Sequence, residues 1–315
     1  MKRALRWVGV LVAVLAVGVA GLVAFAWAPD LPVSALTARW APPPSQFIDL
    51  QGMRVHLRDE GPRDDPAPLV LIHGTSASLH TWEGWVAALK GTRRVITMDI
   101  PAFGLTGPNP ENDYSIERYV SFILALLDHL KLGKVVLGGN SLGGEIAWNV
   151  AVAAPQRVER LILVDAAGFP LVPQSIPLGF RLARMPLLNR LISKTLPRSL
   201  IESSVRNVYG EPSRVTPALI DRYYDLTLRE GNRAALRARF GQLVRDDPSA
   251  LLRKLTMPTL ILWGARDRLI LPADGERFAR AIAGSRQVTF DDLGHVPHEE
   301  DPARTVAEVK RFLAP

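Results

Sequence analysis

The chain has 315 residues, of which 48% are hydrophobic and 22% charged, with a formal net charge of +7. This is a globular composition with a sizeable core and no disordered tail, and the length suits one large domain with an inserted subdomain as well as two domains. There is no cysteine, which excludes disulfides and thiolate metal sites and leaves the redox compartment open.

Trp7 to Trp27 is a run of 21 residues with neither charge nor proline. At about 1.5 Å per residue a helix of that length reaches about 30 Å, the hydrocarbon thickness of a bilayer. Lys2, Arg3 and Arg6 precede the run, Pro29 and Asp30 follow it, and a tryptophan stands at each end. Residues 1–30 therefore read as a membrane anchor with a cytoplasmic N-terminus, holding the remainder on the extracytoplasmic side. A cleavable signal peptide ending at Ala24-Phe25-Ala26 is the rival and would make the protein secreted. Its apolar core should span about 7–15 residues, shorter than this one. Residues 31–45, with Pro32, Pro42, Pro43 and Pro44, read as a stiff linker.

Gln46 to Leu50 and Met53 to Arg58 flank Gln51-Gly52, a hairpin signal. Leu69 to Ile72 is a buried strand ending in His73-Gly74-Thr75-Ser76, and a short helix follows over Trp82 to Lys90. Val95 to Met98 is the next strand, running into Asp99. Ile116 to Leu130 carries apolar residues at helical spacing, with Ser115 as N-cap. A strand over Lys134 to Leu137, a helix over Glu145 to Ala154 and a strand over Leu161 to Val164 continue the pattern. Such alternation implies a parallel sheet covered on both faces. It stops at about Gly168 and resumes with the strand Thr259 to Trp263, a helix around Gly275 to Ala283, the strand Gln287 to Phe290, and a last helix with Asp301 as N-cap.

The interruption, residues 170–254, reads as helical. It holds 15 Lys/Arg against 7 Asp/Glu, a net of +8, so it accounts for the positive charge of the whole chain. The arginines alternate with apolar residues and form no dense basic run, which argues against nucleic-acid binding. A solvated helical face is one reading. A face resting on anionic lipid is the other, centred on Ile176 to Ile192, where Phe180, Leu182, Met185, Leu187 and Leu188 mix with Arg181, Arg184 and Arg190.

The chemistry gathers at residues 134–144. Between the strand and the helix sits Gly139-x-Ser141-x-Gly143, a sharp turn that lifts a serine hydroxyl clear of the sheet beside the first helical N–H groups. A serine nucleophile needs a base, and His295 follows the strand Gln287 to Phe290 at the sheet edge where ligands gather. His298 is the competing base, while His73 reads as a brace for its loop. The base needs a carboxylate. Asp267, after the strand ending at Trp263, gives the chain order Ser, Asp, His, and Asp165, after Val164, competes with it. The backbone amides of Thr75 and Leu142 are the expected oxyanion donors. Asp99 and Asp128 read as structural or solvated.

With His73-Gly74, Asp99-x-Pro101-x-x-Gly104, Gly139-Asn140-Ser141-Leu142-Gly143-Gly144, Trp263-Gly264-x-x-Asp267 and Gly294-His295 in place, the chain resembles the α/β-hydrolase superfamily over about residues 46–314. The resemblance implies a mostly parallel eight-stranded sheet with helices on both faces. It also implies a core of residues 46–169 and 255–315, with a helical cap, residues 170–254, inserted after the sixth strand. It carries Ser141, Asp267 and His295 over as a triad and implies neither metal nor organic cofactor. Asn140-Ser141-x-Gly143-Gly144 is similar to the meta-cleavage-product hydrolases, which break C–C bonds. Thr75-Ser76-Ala77-Ser78 and Val296 depart from their glycine-rich loop and their aromatic residue after the histidine. The expected activity is hydrolysis of a lipophilic carboxylic ester at a membrane. C–C hydrolysis by the same triad and a catalytically silent binding protein are the alternatives. Nothing in the sequence fixes an oligomeric state.

Overall fold

The computed structural model describes residues 2–170, 172–184, 194–244 and 246–314. Eight strands form one sheet: β1 (Gln46–Leu50), β2 (Met53–Glu60), β3 (Leu69–Ile72), β4 (Val95–Met98), β5 (Val135–Asn140), β6 (Val158–Val164), β7 (Thr259–Gly264) and β8 (Arg286–Phe290). Their spatial order is β1-β2-β4-β3-β5-β6-β7-β8. The β1–β2 hairpin and the β2–β4 pairing are antiparallel, and every later pairing is parallel. β3, β5 and β7 are buried along their whole length, as strands covered on both faces must be. Alternation sorts their side chains into two cores. Val70, Ile72, Leu137, Leu163 and Ile261 face one layer, while Leu69, Leu71, Val136, Ile162 and Leu260 face the other.

The N-terminal helix α1 (Lys2–Phe25) carries exposed Trp7, Leu11, Val14, Val17 and Phe25. Among the described residues no helix is long and apolar enough to cross a membrane, and several side chains of the expected anchor lie outside them. The chain then joins the inserted segment directly. Ala28 N–H donates to Lys194 O at 2.9 Å, Leu196 N–H to Ala26 O at 2.8 Å, and Leu31 N–H to Leu228 O at 2.7 Å. The stiff linker expected over residues 31–45 is instead built around a helix, α2 (Val33–Trp40). Pro32 sits at its N-cap and the other prolines lie beyond its end, so none interrupts it. Leu36 buries against Leu105 and Leu226, and Arg39 bridges Asp221 at 3.0 Å and Asp225 at 3.1 Å.

Helices α3 (Glu83–Leu89), α4 (Ile116–His129) and α5 (Leu142–Ala153) follow β3, β4 and β5. Between β6 and β7 the chain leaves the sheet and forms α6 (Leu178–Ala183), α7 (Arg198–Val208), α8 (Pro217–Thr227), α9 (Asn232–Gly241) and α10 (Ser249–Leu252). After β7 come α11 (Pro272–Ala281), α12 (Pro297–Glu300) and α13 (Pro302–Leu313). The arginines of the insertion, read from sequence as a solvated or a lipid-facing surface, are mostly engaged. Arg198 pairs with Asp221, Arg206 with Glu202, Arg214 with Asp292, Arg222 with Glu299, Arg233 with Asp30 and Arg239 with Glu145. Most of these carboxylates lie outside the helix that bears the arginine, so the charge of the insertion ties it to the rest of the chain. Of the stretch proposed to touch lipid, Met185, Leu187, Leu188 and Arg190 lie outside the described residues.

Candidate active site

Ser141 sits between β5 and α5 with φ 54° and ψ −117°, a conformation that costs an L-residue about 1–3 kcal/mol. The surroundings over-determine it. Its N–H donates to Val164 O at 3.1 Å, and its carbonyl accepts from Glu145 N–H and Ala167 N–H, each at 3.0 Å. The two flanking glycines are required by close approach. A Cβ on Gly139 would stand 2.1 Å from Gly143 O, and one on Gly143 would stand 2.1 Å from Ile72 O. Both neighbours are backbone and cannot swing away. Gly139→Ala is therefore expected to lower the unfolding free energy by about 3 kcal/mol or more, read by urea denaturation. A loss under about 0.5 kcal/mol would mean the turn relaxes freely.

His295 lies on the loop after β8, in α12's approach, and is held from three sides. Its Nδ1 bonds Asp267 Oδ2 at 2.6 Å, its N–H donates to Val208 O at 2.8 Å, and its carbonyl accepts from Asn140 Nδ2 at 2.9 Å. Asp267 lies just beyond β7, and its other oxygen accepts from the N–H groups of Leu269 and Ile270 at 2.8 and 3.0 Å. Both oxygens are thus committed, which fixes the plane of the carboxylate against the imidazole. Ser141 and His295 line one cavity of about 360 Å³, with the loop Gly74 to Ala77 along its wall. A Cβ on Gly74 would lie 3.1 Å from Ser141 Cβ, so that loop runs right against the serine. The amides of Thr75 and Leu142 donate to no other group among the described residues.

The competitors separate by position. Asp165 is buried behind Asp267, with φ 43°, and its Oδ1 accepts from Gly264 N–H at 3.0 Å. Burial, with the Asp267 charge next to it, pushes its carboxyl well above the usual range. One ligand atom from each of Asp165, Asp267 and His295 lies within 4.8 Å of the others, and His295 Nδ1 is already bonded to Asp267. His298 packs its ring on Trp82 at 4.0 Å and pairs Nε2 with Thr81 at 2.8 Å, away from the cavity. Burial, with His295 and Arg222 nearby, pulls its pKa well below the usual histidine value. His73 braces its loop as expected. Its Nε2 accepts from Ile100 N–H at 3.1 Å, leaving Nδ1 to donate to Gly74 O at 2.7 Å. Asp99 is the hub of the same corner, accepting from His56 and from the amides of Leu79 and Leu105. Asp128 is exposed and pairs with Arg157.

Two positioning residues escaped the sequence reading. Asn140 ties the nucleophile strand to the His295 backbone, and also donates to Val164 O at 3.1 Å. Its signal was a polar side chain at the end of an otherwise apolar strand. Glu300 accepts from the amides of Gly210 and Gly294, each at 2.9 Å, and of Glu211 at 2.7 Å, clamping the inserted segment onto the histidine loop. Nothing in the run Pro297-His298-Glu299-Glu300 marks it, because its partners are main chain brought together only by folding.

A serine on a strained strand–helix turn, with a histidine–carboxylate pair at the ends of later parallel strands, is the site of a hydrolase. Residues 67–302 match the α/β hydrolase fold family, and the chain belongs to it. The chain is 31% identical to an uncharacterized protein of Mycobacterium tuberculosis over 293 residues, covering 87% of this chain and 82% of that one. It is 28% identical to the 2-hydroxymuconate semialdehyde hydrolase of Pseudomonas sp. strain CF600, over 84% of this chain and 91% of that one. Among solved structures it is similar to a bacterial membrane phospholipase A at a TM-score of 0.72 and 25% identity, over 99% of this chain and 98% of that one. The protein is a hydrolase, related both to ester-cleaving and to C–C-cleaving enzymes.

Proposed function

We propose that the protein is a serine hydrolase of carboxylic esters with an apolar acyl chain, held at a membrane by α1. Ser141 Oγ attacks the ester carbonyl while His295 Nε2 takes its proton. Asp267 holds the Nδ1–H of His295 and stabilises the imidazolium. The oxyanion rests on the amides of Thr75 and Leu142. His295 returns the proton to the departing alcohol, and water activated by His295 then attacks the acyl-enzyme and releases the acid. No metal or organic cofactor enters these steps. Residues 170–254 act as the cap that closes a mostly apolar cavity over the serine.

The observation that carries this reading is the 2.6 Å His295–Asp267 bond at a cavity shared with Ser141. A binding module has no need of that bond. C–C hydrolysis with the same residues is the second reading, favoured by the 28% identity to the semialdehyde hydrolase. Ester cleavage is preferred because the likeness to the membrane phospholipase A runs over 99% of this chain, α1 included, whereas the C–C hydrolase covers 84%. The anchor is supported by the 21 uncharged residues from Trp7 to Trp27 and by the exposed apolar side chains of α1, a patch unusual on a soluble monomer. The catalytic domain then lies on the extracytoplasmic side.

The deciding experiment is turnover by the full chain of esters of graded acyl length and of a vinylogous diketone. Preference for the diketone would replace ester cleavage by C–C cleavage. A serine-directed phosphonate that fails to label Ser141 would leave only the binding reading. For the anchor, the full-length chain is expected to stay with membranes through a high-salt wash. Release of a shortened chain, seen by mass, would make residues 1–30 a cleaved signal.

A further inference from the structure

The wall of the cavity is mostly apolar, and its polar groups include more than the serine and histidine already described. Among its described lining residues are three arginines, Arg184, Arg233 and Arg237, and no carboxylate. Arg184 lies over the Phe240 ring at 4.8 Å. Arg233 and Arg237 stand four residues apart on α9, one turn from each other on the same face, with Leu236 and Phe240 of that helix also lining the cavity. Arg233 is 7% exposed. Its Nη2 donates to Ala28 O at 2.8 Å and its Nε bonds Asp30 at 3.1 Å, but its buried Nη1 has no partner. Arg237 makes no ion pair among the described residues. Its pKa is pulled down by burial and then by the charge of Arg233.

Asp30 thus pairs with the buried Arg233 alone, and the half-buried Arg237 beside it is left without a carboxylate partner among the described residues. Like charges one helical turn apart repel, and an unmatched buried donor carries its full desolvation cost. A pair of cations with a spare donor is a mismatch by itself and a match for an oxyanion. Its place in the fold says what would carry that oxyanion. Ala28 and Asp30 follow directly on α1, and Thr195 and Leu196, which pair with residues 26–28, line the same cavity. The cationic wall therefore stands where the N-terminal helix meets the cap, beside an apolar volume suited to an alkyl chain.

We propose that Arg233 and Arg237 form an anion subsite that takes the phosphate group of an amphiphilic ester while its hydrocarbon chain fills the cavity. This rests on reading the cavity as the substrate pocket, and it narrows the substrate class from lipophilic esters to anionic ones. With α1 in a bilayer, the subsite lies near the level of the lipid headgroups, so a phosphate enters it as the chain leaves the lipid.

The test is equilibrium binding by the full chain in neutral detergent, with octyl phosphate, octyl glucoside, octanoate and inorganic phosphate as probes. Octyl phosphate is expected to bind about tenfold or more tighter than octyl glucoside, the scale of one charge-assisted bond. Arg237→Gln should remove most of that difference and Arg237→Lys should restore part of it. Equal binding of octyl phosphate and octyl glucoside, or an unchanged preference in Arg237→Gln, overturns the subsite. Inorganic phosphate binding as tightly as octyl phosphate overturns it as an amphiphile site. Octanoate matching octyl phosphate overturns the assignment to phosphate and gives the arginines to the carboxylate of the released acid. Ester hydrolysis is read separately: turnover without the phosphate preference strikes the subsite alone, and the preference without turnover strikes the ester mechanism alone. Should Arg237→Gln lose its fold, seen by circular dichroism, a 0.5 M salt series on the unaltered chain decides. Octyl phosphate binding must then weaken with salt and octyl glucoside binding must not.

Discussion

Replacing Ser141 with alanine is expected to cut ester turnover by about 10⁴–10⁶ while leaving the fold in place. The effect is large because Ser141 is the one hydroxyl that the β5–α5 turn presents to the cavity shared with His295. The fold survives because the turn is held by main-chain bonds to Val164, Glu145 and Ala167 that an alanine keeps. Alanine bears the same φ of 54° as serine, so the strain is unchanged. Activity of about 10³–10⁴ over the uncatalysed rate would persist from the amides of Thr75 and Leu142 if they form the proposed oxyanion site. The measurement is initial rate on a soluble chromogenic ester, with a thermal melt as control. Wild-type turnover in this variant would remove Ser141 from the mechanism.

The parts of the fold that were legible in the sequence are those whose signal is local. β3, β5 and β7 announce themselves as short apolar runs because they are covered on both faces. The serine turn announces itself because only glycine fits at 139 and 143. The pairing of His295 with Asp267 was reached from strand order, since parallel strands bring their C-terminal ends to one edge. What stayed hidden depends on contacts between distant segments. Residues 31–45 read as linker because of their prolines, whereas the helix over 33–40 within them is secured by Leu36 and by Arg39 and Trp40 on Asp225. The sequence leaves the arginines of the insertion as a solvated or a lipid-facing surface because their carboxylates, Asp30, Glu145 and Glu299 among them, lie elsewhere in the chain. Glu300 carries no local signal either, because its three partners are main-chain amides, two of them on the remote Gly210–Glu211 loop and one at nearby Gly294.

Two aspartates at neighbouring strand ends compete for one role, and substitution of each by asparagine separates them. Asp267→Asn is expected to lower turnover by about 10⁴, the scale seen when a triad carboxylate is neutralised and the histidine is left in the wrong tautomer. The Asp267 Oδ2 bond to His295 Nδ1 is 2.6 Å, and the partner oxygen is fixed by two amides, so the carboxamide can neither carry the charge nor rotate without losing those amides. Asp165→Asn is expected to cost less than about tenfold. Burial and the neighbouring Asp267 already push its carboxyl toward the neutral form, and an asparagine oxygen still accepts from Gly264 N–H. The linkage sign agrees. Because the folded pKa of Asp165 is raised, ionising it costs stability as pH rises above the ordinary carboxylate range, and Asp165→Asn removes that cost. The variant should therefore gain thermal stability relative to wild type as pH rises, while the Asp267 variant loses activity across the whole range. The reverse ranking of the two activities would move the acid from the end of β7 to the end of β6.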